Sequence, residues 1–170
     1  MTCIHPHSRI EVSLASQQLA LWQGDQCQGR WPVSTAVVGP GELEGSGGTP
    51  RGRHRVRAMI GDGCEAGTVF VGRRPTGEIY NARLGRQYPQ RDWILTRILW
   101  LCGEEPGFNR LGDVDSQRRF IYIHGCPDSE PMGEPHSHGC IRMRNLDVMV
   151  LFDRVTPGTP VLIHEQELSG

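Results

Sequence analysis

Short runs of alternating apolar and polar residues, separated by glycine-rich and proline-rich breaks, set the expectation for this chain. Ile10, Val12 and Leu14 alternate, and so do Leu19 and Leu21, which predicts two short strands or one broken strand. Gly24-Asp25 reads as a turn, and strand character resumes from Trp31 to Val38. Gly39 to Gly48 contains five glycines and reads as a loop, followed by a strand from Arg55 to Ile60. Gly61 to Gly67 is turn-rich, Val69 to Val71 is a short strand, and Glu78 to Tyr80 is a further candidate. The run from Trp93 to Leu101 admits two readings. Asp92 would cap a helix there, but the β-branched and aromatic content favours a buried strand. Cys102 to Gln117 reads as an exposed loop, and Phe120-Ile121-Tyr122-Ile123 as a strand that leads into His124. Asn145 is placed as the N-cap of a helix with Asp147 in its first turn and apolar positions continuing to Val155. A turn over Pro157 to Pro160 and a last strand over Val161 to His164 complete the pattern.

These elements predict one mainly β domain over residues 10–165, with tails at 1–9 and 166–170 and a helix near the C-terminus. A length of 170 residues suits a single domain with a core of its own. The 22 glycines and 12 prolines fit many turns between short strands. The formal net charge of -1 gives no electrostatic case for nucleic acid or an anionic membrane as a partner. No stretch approaches the ~18 apolar residues that suggest a membrane helix. The first residues do not have the pattern of a secretory signal, so the expected location is the cytoplasm, or the periplasm if a leader is missing. Six cysteines, with no C-x-x-C pair, are expected to be thiols rather than disulfides. The glycine-rich loop has neither phosphate-binding spacing, so a nucleotide site is not expected.

Reactive side chains gather in one stretch. His124, Cys126, His136, His138 and Cys140 fall within seventeen positions. A loop returning from the end of the His124 strand would bring Cys140 beside His124, the arrangement of a nucleophile and its base. An adjacent imidazolium would stabilise the thiolate. If the segment after the loop is extended, His138, Cys140 and Arg142 share one face. His138 therefore competes with His124 for the role of base. Gly139 lets the backbone approach a substrate, and the N–H groups of Gly139 and Cys140 are candidates for an oxyanion hole. Arg142 suits a carboxylate, Ser137 is positioned to orient the loop, and Tyr122 either faces the pocket or packs in the sheet. By residue type the same His/Cys cluster is also a rival zinc set, although H-x-C and H-x-H-x-C match no common zinc spacing. Asp128, Glu130 and Glu134 make the intervening loop acidic, which reads first as a solvated face.

His124-Gly125, a spacer, and Ser137-His138-Gly139-Cys140-Ile141-Arg142 resemble the signature of the L,D-transpeptidase catalytic-domain family. Thr49-Pro50-Arg51-Gly52 before a strand resembles a second family feature, while Ser34-Thr35-Ala36 departs by one residue from the family's Ser-Thr-Gly. The resemblance implies a sandwich or open barrel of mixed strands. It implies that Cys140 attacks the L,D peptide bond of a peptidoglycan stem tetrapeptide and forms a thioester, with His124 as base and the Gly125 carbonyl fixing its tautomer. It implies a substrate-binding role for Arg142, Ser137 and Tyr122, no cofactor, and acylation by carbapenem-type inhibitors. Without an export signal, the expected reaction is release of the terminal D-Ala to water from a stem peptide or muropeptide, an L,D-carboxypeptidase. The alternative is an exported L,D-transpeptidase that forms 3-3 crosslinks or exchanges D-amino acids.

Overall fold

Alternation becomes strand wherever one face meets an apolar core. A computed structural model describes residues 7–170. Strands β1 (Ser8–Ser13) and β2 (Gln18–Gln23) form an antiparallel pair, with Ile10, Val12, Leu19 and Leu21 buried in one cluster. The pattern from Ile10 to Leu21 thus resolves as two strands. β3 (Gln26–Ser34) follows the turn at Gly24-Asp25 and starts earlier than its apolar residues suggest, because its polar first half also pairs with β2. β4 (Gly52–Ile60), β5 (Thr68–Val71) and β6 (Arg74–Ile79) follow, then a short helix α1 (Ala82–Gln87). The apolar run after Asp92 is strand β7 (Ile94–Gly103), with Leu99 and Leu101 in the main core and Ile98 in a smaller cluster. β8 (Tyr122–Gly125), β9 (Ile141–Met143), α2 (Asn145–Phe152) and β10 (Pro160–His164) complete the chain.

The strands follow the order β4-β10-β1-β2-β3-β9-β8-β7, and β7 pairs back to β4 to close a ring of eight. The predicted barrel of mixed strands is therefore present, and it is closed rather than open. β1 with β10 and β8 with β9 are parallel, and the other pairs are antiparallel. The β5–β6 hairpin adds to the free stretch of β7 at Ile94 and Leu95. Helix α2 buries Val148, Leu151 and Phe152 against the main core, so the predicted C-terminal helix packs on the barrel.

Several local expectations change for physical reasons. Helix α1 was not legible: it is six residues long, has no fully buried residue, packs Leu84 on a small cluster, and is capped by the Asn81 side chain accepting the Leu84 N–H at 2.8 Å. Asn145 opens α2 but does not cap it. Its Oδ1 accepts the Thr96 hydroxyl at 2.6 Å and its Nδ2 donates to the Cys126 carbonyl at 3.0 Å. α2 also stops at Phe152, short of the expected Val155. Phe120 does not begin the strand, since it has φ +58° and is half exposed. The loop after β7 is not simply exposed. Asn109 is buried and donates to the carbonyls of Arg51 and Arg53, each at 3.0 Å, and Asp115 accepts the N–H of Leu111 at 2.7 Å. These bonds let polar residues fold a loop that has few apolar ones. β1 starts at Ser8, and Ser169 near the other terminus bonds to the buried Glu11 carboxylate, which also accepts the Trp22 ring N–H at 3.0 Å.

His54 ties that loop to β4. Its Nε2 lies 2.8 Å from the Ser116 hydroxyl and its Nδ1 lies 3.1 Å from the Gly52 carbonyl. Burial pushes the imidazole down to about 4. The unfolded chain takes up this proton near 6.5 and the folded protein resists it, so stability is lost as pH falls from 6.5 to 4. The loss attributable to His54 is on the order of 3 kcal/mol. Thermal unfolding followed from pH 7 to pH 4 is expected to show a steeper fall in Tm for the native protein than for His54→Gln. Parallel curves would show that His54 does not set this slope.

Candidate active site

The parallel pairing of β8 with β9 places Ile123 opposite Ile141 and His124 opposite Arg142. Period-two alternation then sorts the side chains. Ile123, Ile141 and Met143 enter the main core, while Tyr122, His124, Cys140 and Arg142 lie on the other face. A small pocket of about 30 Å³ there is lined by His124, His138, Cys140, Arg142, Ser137 and Asp92. That volume holds about one water molecule. The structure thus brings the predicted thiol and both predicted imidazoles to one place.

Cys140 is half-buried. Its sulfur accepts the Tyr122 N–H at 3.3 Å and its S–H donates to the Phe120 carbonyl at 3.3 Å. Burial pushes the thiol up to about 12. The Tyr122 N–H and the charges of Arg142 and Arg119 act the other way, and Asp92 reinforces the rise. His124 is fully buried, and burial holds its imidazole below the usual range. Its Nδ1 lies 2.6 Å from the Gly125 carbonyl. A carbonyl only accepts, so Nδ1 carries the proton and Nε2 is left as the basic atom. Both shifts run in the direction that favours a neutral thiol and a neutral imidazole as the resting pair.

His138 differs from His124 in burial and in hydrogen bonding. It is exposed, and no hydrogen-bond partner for its ring is found among the described residues. It lines the small pocket without a fixed tautomer. Tyr122 packs edge-on against Trp100 at 6.1 Å, and its hydroxyl accepts from Arg73 at 3.0 Å, so its ring is a wall of the outer cluster.

Ser137 is buried within the turn that presents the nucleophile. Its hydroxyl donates to the Cys140 carbonyl at 2.6 Å and accepts the Gly139 N–H at 3.3 Å. Its backbone bonds to Thr35 and Val37, which anchors the turn to the end of β3. The Gly139 N–H is therefore engaged, while the Cys140 N–H has no partner among the described residues. Gly139 has φ +131°, and an added Cβ would sit 3.3 Å from the Gly48 carbonyl. Gly125 leaves no room either, since an added Cβ would collide with Asn145 Oδ1 and meet the Leu95 carbonyl at 2.7 Å. Arg142 is buried and already paired. Its guanidinium lies 3.2 Å from Glu130 and 3.5 Å from Asp92, and it donates to the His136 carbonyl at 3.2 Å.

The cysteine and histidine cluster does not converge as a metal set. Cys126 is buried, donates to the Met143 carbonyl at 3.4 Å, and is pushed up to about 12 by burial. His136 is exposed beside Glu134 at 3.5 Å. No group of three or more metal-ligating side chains is found among the described residues.

Three more residues contribute, and the sequence marked only the first of them as part of a motif. Thr49 is fully buried, donates to the Gly139 carbonyl at 2.9 Å and accepts the Ala36 N–H at 3.0 Å. Arg119 donates to the carbonyls of Gly41 at 2.9 Å, Glu42 at 3.0 Å and Gly48 at 2.7 Å, which holds the five-glycine loop against the nucleophile turn. Asp92 belongs to the pocket and to the Arg142 ion pair, although the sequence offers it only as a cap. The Thr-Pro-x-Gly motif pointed at Thr49, but nothing in the sequence pointed at Arg119.

A closed mixed barrel thus carries a tautomer-fixed imidazole on β8 and a thiol immediately before β9, its parallel neighbour, the layout of a cysteine–histidine domain. Residues 7–163 match the L,D-transpeptidase catalytic domain (YkuD), and the chain belongs to that family. YqjB of Bacillus subtilis (strain 168), provisionally named an L,D-transpeptidase, is 40% identical over 63 residues, which are 37% of this chain and 34% of YqjB. L,D-transpeptidase 3 from Mycobacterium tuberculosis, solved with a faropenem-derived adduct, superposes with a TM-score of 0.59 at 16% identity, covering 94% of this chain and 61% of that one. The L,D-transpeptidase LdtMt1, solved in complex with imipenem, superposes with a TM-score of 0.54 at 17% identity, covering 93% of this chain and 59% of that one. The chain thus spans less than two thirds of the length of each of these proteins.

Two outcomes test the geometry. Thr49→Val leaves the Gly139 carbonyl and the Ala36 N–H buried without a partner, and is expected to cost on the order of 2 kcal/mol in chemical denaturation. A neutral result would remove Thr49 from the support of the turn. Iodoacetamide labelling of Cys140 is expected to be slow at pH 7 and to keep rising with pH beyond 9, since the thiol is raised to about 12. A plateau below pH 7 would show a stable thiolate and contradict the neutral pair.

Proposed function

We propose that this chain is a cysteine acyl-transfer enzyme that cleaves the L,D peptide bond of peptidoglycan stem tetrapeptides and passes the acyl group to water. The reading rests on the His124 ring, whose Nδ1 is held 2.6 Å from the Gly125 carbonyl, so that its basic nitrogen serves the pocket shared with Cys140. Membership of the L,D-transpeptidase family supports the substrate class.

The chemistry follows from the neutral pair. The Cys140 sulfur attacks the carbonyl carbon at the L-centre of the third stem residue as its proton passes to His124 Nε2. The oxyanion takes the free N–H of Cys140. Collapse breaks the C–N bond, and the leaving D-Ala amine takes the proton from His124. The thioester is then attacked by water, which gives its proton to His124. Collapse expels the sulfur, which takes that proton back from His124 as the thiol, and the released tripeptide acid ionises to solvent.

In this reading the substrate is a free stem peptide or a muropeptide, and the work is recycling inside the cell. The second reading, transfer to an amine, gives 3-3 crosslinks or D-amino-acid exchange outside the membrane. It is favoured by a wider cleft that shares Asp92, His138 and Arg142 with the small pocket. No helix among the described residues is long and apolar enough to cross a membrane, which leaves both readings open. Acylation of Cys140 by carbapenem-type compounds belongs to either, and imipenem is bound in the LdtMt1 structure.

Mass spectrometry of the native protein and of Cys140→Ala, incubated with a diaminopimelate-containing tetrapeptide with and without D-methionine, separates the readings. Loss of D-Ala alone, absent in the variant, is the expected result. Replacement of D-Ala by D-methionine would establish transfer instead. No reaction of the native protein under either condition would overturn the assignment.

A further inference from the structure

One buried residue of β7 stands in a backbone conformation that its type avoids. Thr96 has φ +75° and is fully buried, at the bulge where Thr96 and Arg97 lie between the partners of Gly125 and His124. A β-branched residue in the left-handed region is strained, and glycine would fit there without that strain. The hydroxyl is what glycine would lack. We propose that Thr96 and Asn145 are positioning residues for the base, bracing the Gly125–Cys126 segment so that the Gly125 carbonyl holds Nδ1 of His124. The proposal rests on the acyl-transfer reading, in which Nε2 of His124 takes the thiol proton.

A run of hydrogen bonds in one direction links Thr96 to the backbone beyond His124. The Gly67 N–H donates to the Thr96 hydroxyl oxygen at 2.9 Å. The hydroxyl donates in turn to Asn145 Oδ1 at 2.6 Å, and Asn145 Nδ2 donates to the Cys126 carbonyl at 3.0 Å. Each bond sets the sense of the next, because an amide that turns its oxygen to Thr96 offers its NH2 to Cys126. Gly125 lies against the same pair. A Cβ added to it would collide with Asn145 Oδ1 and meet the Leu95 carbonyl at 2.7 Å and Thr96 Cβ at 3.2 Å. Gly125 is thus enclosed by Thr96, Asn145 and Leu95, while its carbonyl accepts from His124 Nδ1 at 2.6 Å.

The strained residue is itself held in place. Arg97 is buried, and its Nη1 donates to the Thr96 carbonyl at 2.7 Å and to the Cys64 carbonyl at 2.9 Å. Thr96 is therefore fixed through both its hydroxyl and its carbonyl, and a strained conformation persists only where its surroundings over-determine it in this way. Gly125 ends β8 and has no side chain with which to fix its own peptide. Were its carbonyl to turn away, Nδ1 of His124 would lose its acceptor. The ring proton would then be free to sit on Nε2, where the imidazole is no longer a base towards Cys140.

The test compares Thr96→Gly, Thr96→Ser and Asn145→Asp with the native protein. The readouts are Tm, kcat and KM for the tetrapeptide, and the ring-nitrogen NMR signals of His124 at about pH 8, which distinguish the two neutral tautomers. Thr96→Gly relieves the strain and removes the hydroxyl, so Tm is expected to hold while kcat falls about tenfold or more and KM stays within about twofold. Thr96→Ser keeps the hydroxyl and is expected to retain about half of the native kcat or more. Asn145→Asp keeps the acceptor for Thr96 but loses the donor to Cys126, and its kcat is expected to fall with that of Thr96→Gly. In both impaired variants His124 is expected to show a mixture of tautomers, against Nδ1–H alone in the native protein. Native kcat with Nδ1–H alone in Thr96→Gly and Asn145→Asp would overturn the proposal, and so would losses of kcat that follow Tm while Nδ1–H is retained. The tautomer is read without turnover. Failure of the native protein to cleave the tetrapeptide, with tautomers mixed in the variants, would therefore overturn the acyl-transfer reading and leave the brace standing.

Discussion

Parallel pairing of β8 with β9 is the constraint from which the site follows. Parallel neighbours cannot be joined by a tight hairpin and need a crossover of a dozen or more residues. The chain supplies this from Cys126 to Cys140, so the separation of His124 from Cys140 is a consequence of strand direction. The same pairing fixes the faces. With Ile123 against Ile141 in the core, His124 and Arg142 must point the other way, and Cys140 meets the Tyr122 N–H. A slip of one residue would bury the imidazole among Ile10, Leu99 and Leu151 and expose the isoleucines, which the apolar core forbids.

The obligatory crossover then becomes useful surface. It carries Glu130 to the guanidinium of Arg142, places His136 at the rim, and returns through Ser137 and His138. Its return is held from outside the barrel strands. Thr49 grips Gly139 through its carbonyl, Ser137 closes the turn on Cys140, and Arg119 ties the glycine-rich loop to the same place through three carbonyls. A single guanidinium spread over several backbone acceptors restrains a loop that has almost no side chains with which to pack. This explains how five glycines between Gly39 and Gly48 coexist with an ordered site.

What could be read in the sequence is what depends on period and on local chemistry. The alternation at Ile10 to Leu21 and the β-branched run of β7 marked strands because each has one face or both in an apolar cluster. The His-Gly and Ser-His-Gly-Cys blocks marked the thiol and imidazole because those residue types have few other reasons to crowd together. What could not be read depends on partners far away in the chain. Asn145 looks like a cap, yet Thr96 and Cys126 claim its amide. Arg142 looks free for a ligand, yet Asp92 and Glu130 occupy it. Arg119 looks like any surface arginine, yet it bonds across more than seventy positions to Gly41, Glu42 and Gly48. The closure of the barrel by β4 on β7 is likewise invisible to any local pattern.

Burial, which makes the barrel stable, works against the chemistry at its surface. A desolvated thiol and a desolvated imidazole both prefer to be neutral, so burial raises the cost of charging either one. The flanking charges do not break this balance. Asp92 discourages the thiolate and encourages the imidazolium, and Arg142 does the opposite to each.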